Sequence, residues 1–331
     1  MTNNDVYQIV MIFISSMIFT ADAFKLAWRQ RFAKCLAGWK YKMLAPAWVR
    51  KPFFLCIIAK AIEWYFALSP GCRSQHVLAL ANARRMTGND HHVNHMRLWS
   101  EKKLMEMLLY MNDEQIIAQL RECSRELEEY MQLNLSCDKP IIFSPLHMIS
   151  DVLASVMCGF ISPNETVVIS THKEDTLGSN EDASLKKMGV NLVRLDPEFI
   201  TPSALRRLIR NVQARTSQLV IFADAPSEIT LTLTGKKMRT YDCLLFGRPA
   251  HLHSGLNDLA RLSQSQVVFF GLHFERGRLR LAIFGHSQAE DLPSRTPMII
   301  EQALQAIPQA WLLWYTPSFF YFNNLNTNRY E

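Results

Sequence analysis

The sequence lacks the glycine-containing motifs that mark nucleotide-binding sites and serine hydrolases. It contains no GxGxxG after a predicted strand, no GxxxxGK(S/T) and no GxSxG. Each of these motifs shapes a backbone turn that holds phosphates or presents a serine nucleophile. Dinucleotide binding, P-loop hydrolysis and a nucleophile elbow therefore have no support in this chain.

Cysteine offers no framework for a fold or a metal site either. The seven cysteines are scattered, their number is odd, and no CxxC pair occurs. Disulfide frameworks and zinc ribbons need paired or regularly spaced thiols, so neither class is indicated. Free thiols are typical of a reducing compartment, and we therefore expect the second half of the chain to lie in the cytosol.

The composition fits neither a disordered chain nor a bundle of membrane spans. The 331 residues are 49% hydrophobic and 20% charged, which is too apolar for the first class and too polar for the second. A chain of this length buries a sizeable core, in one large domain or two ordinary ones.

Positive charge is concentrated near the N-terminus. The net charge is +6, and nine lysines or arginines lie between Lys25 and Lys60. Such a patch suits nucleic acid, an anionic membrane surface or a solvated helical surface. The aromatic residues interleaved with these charges favour the membrane, because amphipathic aromatic side chains settle at lipid headgroups.

The first residues predict a membrane anchor, which we assign to residues 1–24. Residues 6–21 carry no charge and the basic residues follow them, whereas a signal peptide has its positive charges before the apolar run. The segment is shorter than the roughly 20 residues that cross a bilayer. It is interpreted as a short span or an in-plane helix, with a buried core helix as the alternative.

The pattern of apolar residues changes near residue 139. Residues 25–135 show helical periodicity and predict a membrane-proximal helical region, continuous with an α/β core at 136–322. We predict an α/β fold with a central mixed sheet flanked by helices, parallel in its first strands and ending in a hairpin. The predicted strands are 141–144, 166–170, 190–195, 218–224, 266–274 and 278–284. The predicted helices are 22–43, 52–67, 75–86, 100–111, 113–133, 151–159, 182–189, 203–215 and 256–264.

His147 and Asp151 form the first candidate site. His147 follows the first predicted strand, at the edge where ligands bind in parallel sheets. If a helix begins near His147, Asp151 lies one turn further on and its carboxylate reaches Nδ1, which leaves Nε2 free to take a proton. The alternative is a polar pair that satisfies its own hydrogen bonds at a strand-to-helix corner.

Further polar residues follow the fourth predicted strand. Asp224 ends that strand and is either a second site residue or a turn former. Lys236, Lys237 and Arg239 come next in the chain. They are either a cation cluster for substrate phosphates or an acidic carrier, or a basic surface loop.

Two histidine-rich segments are the candidates for a metal site. HHVNH at 91–95 places three imidazoles at about one-turn spacing, and HLH at 251–253 places two on one face of an extended segment. No cluster of cysteine, histidine or carboxylate completes either set, so both are interpreted as structural and no metal is expected.

A series of motifs runs through the second half of the chain in a fixed order. They are the His147 segment, Asp224 at a strand end, FGRPAHLHSGLNDLARLSQSQVVFFGLHFERGRLRLAIF from Phe246, and IPQAWLLWYTP at 307–317. In this order they resemble the late acyltransferases of bacterial lipid A biosynthesis, within the wider lysophospholipid acyltransferase superfamily. The resemblance covers roughly residues 70–317, and the apolar N-terminus followed by basic residues also fits it.

The resemblance implies an acyltransferase that moves a fatty acyl group, and not an aminoacyl group. The donor would be an acyl carrier protein or coenzyme A thioester, and the acceptor a hydroxyl or amine of a lipid or glycolipid. It implies the cytoplasmic face of a bacterial inner membrane, with membrane lipid and an acyl carrier protein as partners, and with no nucleic acid, metal or other cofactor. It implies His147 and Asp151 as the catalytic dyad and, as substrate-binding residues, Asp224, Lys236, Lys237, Arg239, Gly247 and Arg248.

One predicted helix offers a docking face for the carrier. Within 203–215 it carries Arg206, Arg207, Arg210 and Arg215. These arginines either bind an acidic carrier protein or form a solvated charged face.

The sequence departs from the family pattern in two places. The family motif is H-x4-D/E, and this chain has Val152 at the acidic position, so we expect Asp151 to fill the role in a loop shortened by one residue. The C-terminus lacks the arginine and lysine with which the family often ends. Two alternatives follow: a same-fold transferase for an aminoacyl donor or a specialised-metabolite acceptor, and a non-catalytic membrane-bound partner protein.

Overall fold

The computed structural model describes residues 52–88, 93–161, 165–170, 179–227, 230–231, 238–275 and 277–316. Contacts along the chain separate a unit Met1–Leu55 from a unit Cys56–Glu331, and the whole sheet lies in the second unit. The predicted anchor at 6–21 and the predicted helix at 22–43 lie outside the described residues. Within the described ranges, no helix combines the length and the apolarity needed to cross a bilayer.

Four helices precede the sheet within the described part of the chain, and two of them start at clear capping residues. The side chains of Asn94 and Asp113 accept hydrogen bonds from amides in the first turn that lack an intrahelical partner. The second and third helices each start five residues earlier than predicted, at Pro70 and His95. The four are α1 (Pro52–Leu68), α2 (Pro70–Thr87), α3 (His95–Tyr110) and α4 (Glu114–Asn134).

Strands and helices then alternate, as predicted. The strands are β1 (Ile141–Pro145), β2 (Glu165–Ile169), β3 (Leu192–Leu195), β4 (Ser217–Ile221), β5 (Thr240–Leu245), β6 (Arg248–His253), β7 (Gln266–Glu275) and β8 (Arg278–Ser287). The helices are α5 (Asp151–Ile161), α6 (Ser179–Lys187), α7 (Pro202–Gln213), α8 (Gly255–Ser263) and α9 (Leu292–Ala306). Two short 3-10 helices follow, Pro308–Ala310 and Leu312–Tyr315.

Six strands form one mixed sheet in the order β3-β2-β4-β1-β7-β8. The first five in this order pair in parallel, and β8 pairs antiparallel with β7. The predicted α/β class with a mixed central sheet flanked by helices is confirmed, as is the closing hairpin. The central strands β1 and β7 are almost wholly buried, which explains why they read as continuous apolar runs.

A separate two-stranded sheet, β5–β6, was not predicted. Its strands pair antiparallel and are connected by a two-residue turn, Phe246 and Gly247. The φ angles of these residues, 52° and 70°, are both positive. Nine of its twelve strand residues are exposed or half-buried, so no continuous apolar run marks it. The sequence did offer one indication of the hairpin. Gly247 is the second of two residues between two short strand-like segments, which is typical of a two-residue hairpin turn.

The helical region and the sheet pack together within the second unit. Helix α4 contacts α5 and β8, and α2 contacts the 3-10 helix Leu312–Tyr315. A hydrogen bond of 2.6 Å from Asn82 to the carbonyl of Trp314 fixes that second contact. The C-terminal end of the described chain is thereby held against the helices that precede the sheet.

Candidate active site

His147 and Asp224 lie at the ends of adjacent parallel strands. β1 ends at Pro145, two residues before His147, and β4 ends at Ile221, three residues before Asp224. The two strands pair directly and in parallel. The carboxyl ends of parallel strands share one edge of the sheet, so two residues far apart in sequence meet there.

Asp224 accepts three hydrogen bonds from the groups around it. Its Oδ1 lies 2.7 Å from Nδ1 of His147, and its Oδ2 lies 2.8 Å from the amide nitrogen of His147 and 2.7 Å from Nε1 of Trp311. The Asp224 side chain is 0% exposed. A carboxylate only accepts, so Nδ1 carries the proton and Nε2 of the neutral ring holds the free lone pair.

The other side of the His147 ring is open to chemistry. The side chain is 20% exposed. No described residue forms a hydrogen bond with Nε2, while the ring of Phe222 lies 4.5 Å from the imidazole centroid and fixes its face. An imidazole with a fixed tautomer, a free Nε2 and partial exposure is the arrangement of a general base.

The loop that carries His147 is held on two sides. The amide of Ile149 donates to the carbonyl of Ala310 at 2.8 Å, and the amide of Leu312 donates to the carbonyl of His147 at 2.8 Å. Ile149 has a φ of 41°, a left-handed conformation that β-branched residues rarely adopt. Such strain persists only where surrounding contacts enforce it, and here it lies two residues from the base.

Nδ1 of His147 donates to Asp224 and not to Asp151, so the predicted hydrogen bond from Nδ1 to Asp151 is wrong. The prediction assumed a helix that begins near His147, but α5 begins at Asp151 itself. The five residues between β1 and α5 are not helical, and the one-turn relation between the two side chains does not arise. Asp151 forms an ion pair with Lys102 of α3.

Lys102 and Asp151 belong to a polar network beside the base. Lys102 also pairs with Glu106 at 2.8 Å, and Glu106 accepts a hydrogen bond of 2.8 Å from Ser150 Oγ. Ser150 Oγ in turn accepts from the amide of Leu153 at 3.2 Å and so caps α5. The network ties α3 to the start of α5.

Neighbouring charges set the proton affinity of His147. Burial of the ring lowers the pKa of His147, whereas the charge and hydrogen bond of Asp224 raise it, and the charge of Asp151 raises it as well. Lys102 acts in the opposite direction. The pKa of His147 therefore lies above its ordinary value of 6.5.

The predicted substrate-binding residues are placed elsewhere or lie outside the described chain. Asp224 is fully buried behind the imidazole, so it orients the His147 ring and does not face a ligand. Arg239 is 85% exposed and pairs with Asp258 at 3.6 Å. Gly247 and Arg248 are in the β5–β6 hairpin, and no described hydrogen bond or ion pair links them or Arg239 to His147. Lys236 and Lys237 lie outside the described residues.

Two of the three described candidate metal histidines have ordinary hydrogen-bond partners, while both ring nitrogens of His95 are buried without one. Nδ1 of His251 lies 2.8 Å from Asp242, and Nε2 of His253 lies 2.9 Å from Thr230 Oγ1. His91 and His92 are outside the described residues, and His95 begins α3. Within the part of the chain that the structure describes, no group of three metal-binding side chains occurs.

The sequence analysis did not predict three parts of the site: Lys102, Glu106 and the role of Trp311. Lys102 and Glu106 lie four apart on one face of a largely apolar helix, which is a signal for a buried ion pair. Trp311 was noted only as part of a C-terminal motif. Its contact with Asp224 depends on tertiary structure, because the residues are 87 apart in sequence.

Comparison of the sequence with protein-family models and with curated proteins gives no match. The acyltransferase family therefore stays a prediction. The hydrogen-bonded group of His147, Asp224 and Trp311 is the observation from which a function is proposed.

Replacing Trp311 with phenylalanine is expected to lower the free energy of unfolding by about 1–3 kcal/mol, because one oxygen of a buried carboxylate loses a donor. Urea denaturation measures this loss. Trp314→Phe is the matched control, since its Nε1 donates to the carbonyl of Pro308 at 2.7 Å and not to Asp224. We expect only Trp311→Phe to move the pKa of His147, and equal pKa values in both variants would contradict the role given to Trp311.

Proposed function

We propose that the protein is a membrane-associated acyltransferase. It moves a fatty acyl group from an acyl carrier protein or coenzyme A thioester to a hydroxyl or amine of a lipid or glycolipid. The observation that carries the proposal is the imidazole of His147, whose Nδ1 is fixed by a buried carboxylate and whose Nε2 is free. The motif order described above supports this chemistry over other uses of a general base.

The reaction needs one proton acceptor and no covalent enzyme intermediate. Nε2 of His147 takes the proton from the acceptor hydroxyl or amine as its oxygen or nitrogen attacks the thioester carbonyl. The tetrahedral intermediate then collapses, the carbon–sulfur bond breaks, and the imidazolium returns its proton to the leaving thiolate. Asp224 stabilises the imidazolium formed between these steps.

A cation near the base would stabilise the charge on the attacked carbonyl oxygen. Among the described cations, Lys102 is the one whose charge acts on His147. Its pKa is raised because Asp151 and Glu106 outweigh the effect of burial, so it stays protonated at neutral pH. We assign this supporting role to Lys102 and backbone amides.

The observation that suggested a non-catalytic protein does not support that alternative. It was drawn from Val152, which stands where the family pattern has an acid. The carboxylate on Nδ1 comes from Asp224. Val152 therefore does not deprive His147 of a partner that it needs. The transferase with an aminoacyl donor or a specialised-metabolite acceptor stays open, because the same base serves either reaction.

The function is tested with purified full-length protein and two radiolabelled donors, a palmitoyl carrier-protein thioester and palmitoyl coenzyme A. A crude bacterial lipid extract supplies the acceptor. We expect label to enter the lipid fraction, with release of one thiol for each acyl group transferred. If no label enters the lipid fraction and no thiol is released with either donor, the proposal is contradicted.

The surface of α7 favours the carrier protein as donor. Arg206, Arg207 and Arg210 are exposed, and no described carboxylate pairs with them. Arg215 is different, because it donates to the carbonyl of Cys137 and serves the fold. An unpaired row of guanidinium groups complements an acidic protein.

Reversing two of these charges is expected to separate the donors. Arg206→Glu with Arg210→Glu should raise KM for the carrier-protein thioester by roughly tenfold, because repulsion replaces attraction, and should leave KM for the coenzyme A thioester unchanged. Arg125→Glu, on the exposed side of α4, is the matched control. An equal KM for the carrier thioester in all three proteins would exclude α7 as the docking face.

A further inference from the structure

Helix α1 exposes several large apolar side chains. The 17 residues from Pro52 to Leu68 include only two charged side chains, Lys60 and Glu63, which pair with each other at 2.8 Å. Ile57, Trp64, Tyr65 and Leu68 are 51%, 73%, 66% and 69% exposed. A helix on the surface of a soluble domain turns mostly polar side chains outward, and α1 departs from this pattern because large apolar side chains lie on both of its sides.

The exposed residues form one continuous stripe. Ile57, Trp64 and Leu68 follow helical spacing, with Tyr65 beside them, and we call these four residues the α1 face. Phe66 points from the opposite side of the helix, where its ring lies 6.3 Å from that of Trp99 in an edge contact. The helix therefore packs on the protein through one side and leaves the α1 face uncovered.

The packed side of α1 leads directly to the candidate site. The ring of Trp99 lies 5.7 Å from that of Tyr315, again in an edge contact. Tyr315 is close enough to Lys102 and Asp151 for both charges to act on its hydroxyl. Those two residues form the polar network beside His147, so two aromatic rings separate α1 from the site.

We propose that the α1 face lies in the headgroup–acyl boundary of an anionic bilayer and so holds the site next to a lipid-borne acceptor. Tryptophan and tyrosine prefer this boundary, and the face has the size of an in-plane amphipathic helix. Eight basic residues between Lys25 and Lys51 precede the helix in the sequence and match an anionic surface. Only the delivery of acceptor rests on the proposed function.

A second copy of the chain fits the α1 face less well. A stable protein interface buries about 800 Å² on each partner with about 20–30 residues a side, and four side chains on one helix fall short of that. A bilayer needs no such complementary partner surface. The proposal therefore commits to lipid, and the experiment separates lipid from protein contacts.

The test is photocrosslinking in the full-length protein. A benzophenone amino acid replaces Trp64 or Leu68 and, as controls, Leu133 or Phe199, which are 84% and 75% exposed elsewhere. The vesicles contain phosphatidylethanolamine and phosphatidylglycerol with radiolabelled acyl chains. We expect lipid adducts at 64 and 68 to exceed those at 133 and 199 by about tenfold, since only the α1 face enters the apolar layer.

Two outcomes would overturn the proposal. One is lipid labelling at 64 and 68 no greater than at the control positions. The other is crosslinking of these positions mainly to residues 1–51 or to another copy of the chain, because the face would then be covered by protein. Both readouts are independent of catalysis, so they hold even if the protein transfers no acyl group.

The delivery of acceptor is tested by Trp64→Glu combined with Leu68→Glu. We expect transfer to an acceptor in vesicles to fall by about tenfold or more, because charge at these positions opposes insertion. Transfer to the same acceptor in detergent micelles should be unchanged. An equal loss in micelles, or no loss in vesicles, would contradict the delivery role.

Discussion

Replacing His147 with alanine is expected to lower the rate of acyl transfer by roughly 10²–10⁴-fold, the range typical of a lost general base. No other described residue offers a free nitrogen in this position, and the loop around His147 keeps its backbone contacts with Ala310 and Leu312. Initial rates with a radiolabelled thioester donor measure the effect. Thermal unfolding checks that the variant is folded.

His251→Ala provides the matched control for this prediction. His251 also pairs with an aspartate at 2.8 Å, but it lies in the β5–β6 hairpin and is 44% exposed. We expect this variant to keep the wild-type rate. Transfer by His147→Ala at a rate close to that of His251→Ala would remove His147 from the mechanism.

Replacing Asp224 with asparagine is expected to cost about as much activity as the loss of the base, again roughly 10²–10⁴-fold. The amide keeps the shape of the carboxylate but exchanges one acceptor for a donor. Three donors, two on His147 and one on Trp311, then meet a group with a single acceptor oxygen. If the amide donates to Nδ1, the ring proton moves to Nε2, where it blocks proton uptake.

The pH dependence of kcat/KM tests independently whether the charge of Asp224 acts on His147. The base acts as neutral imidazole, so kcat/KM rises with pH through the pKa of His147, which Asp224 holds above 6.5. Asp224→Asn removes this charge, and the acid limb of its residual activity should shift to lower pH. Asp242→Asn, at the exposed partner of His251, is the control and should leave the limb unchanged. A shift to higher pH in Asp224→Asn would contradict the account.

The sequence predicted the elements of the fold well, because most of them carry strong local patterns. Continuous apolar runs marked the strands of the parallel sheet, and helical periodicity marked the helices around them. The β5–β6 hairpin and α9 were missed. The hairpin is half exposed and α9 contains Pro297, so neither shows the uninterrupted periodicity that identified the other elements.

The candidate site was half predictable. His147 stands out in the sequence because it follows a buried strand at the edge where ligands bind. Asp224 was also marked, at the end of a strand, but its pairing with His147 could not be predicted. The two residues are 77 apart in sequence and become neighbours only through the pairing of β1 with β4. Asp151 was predicted as the partner of His147 because it is close in sequence. The loop between β1 and α5 is not helical, so closeness in sequence does not bring the two side chains together.

The most direct measurement is the initial rate of acyl transfer by Asp224→Asn and Asp151→Asn in one assay, beside the wild type. Asp151 influences His147 through charge alone and pairs with Lys102, so we expect Asp151→Asn to stay within about tenfold of the wild-type rate. Asp224→Asn should lose nearly all transfer. Full activity in Asp224→Asn together with an inactive Asp151→Asn would contradict the central claim that Asp224 orients His147 as the base.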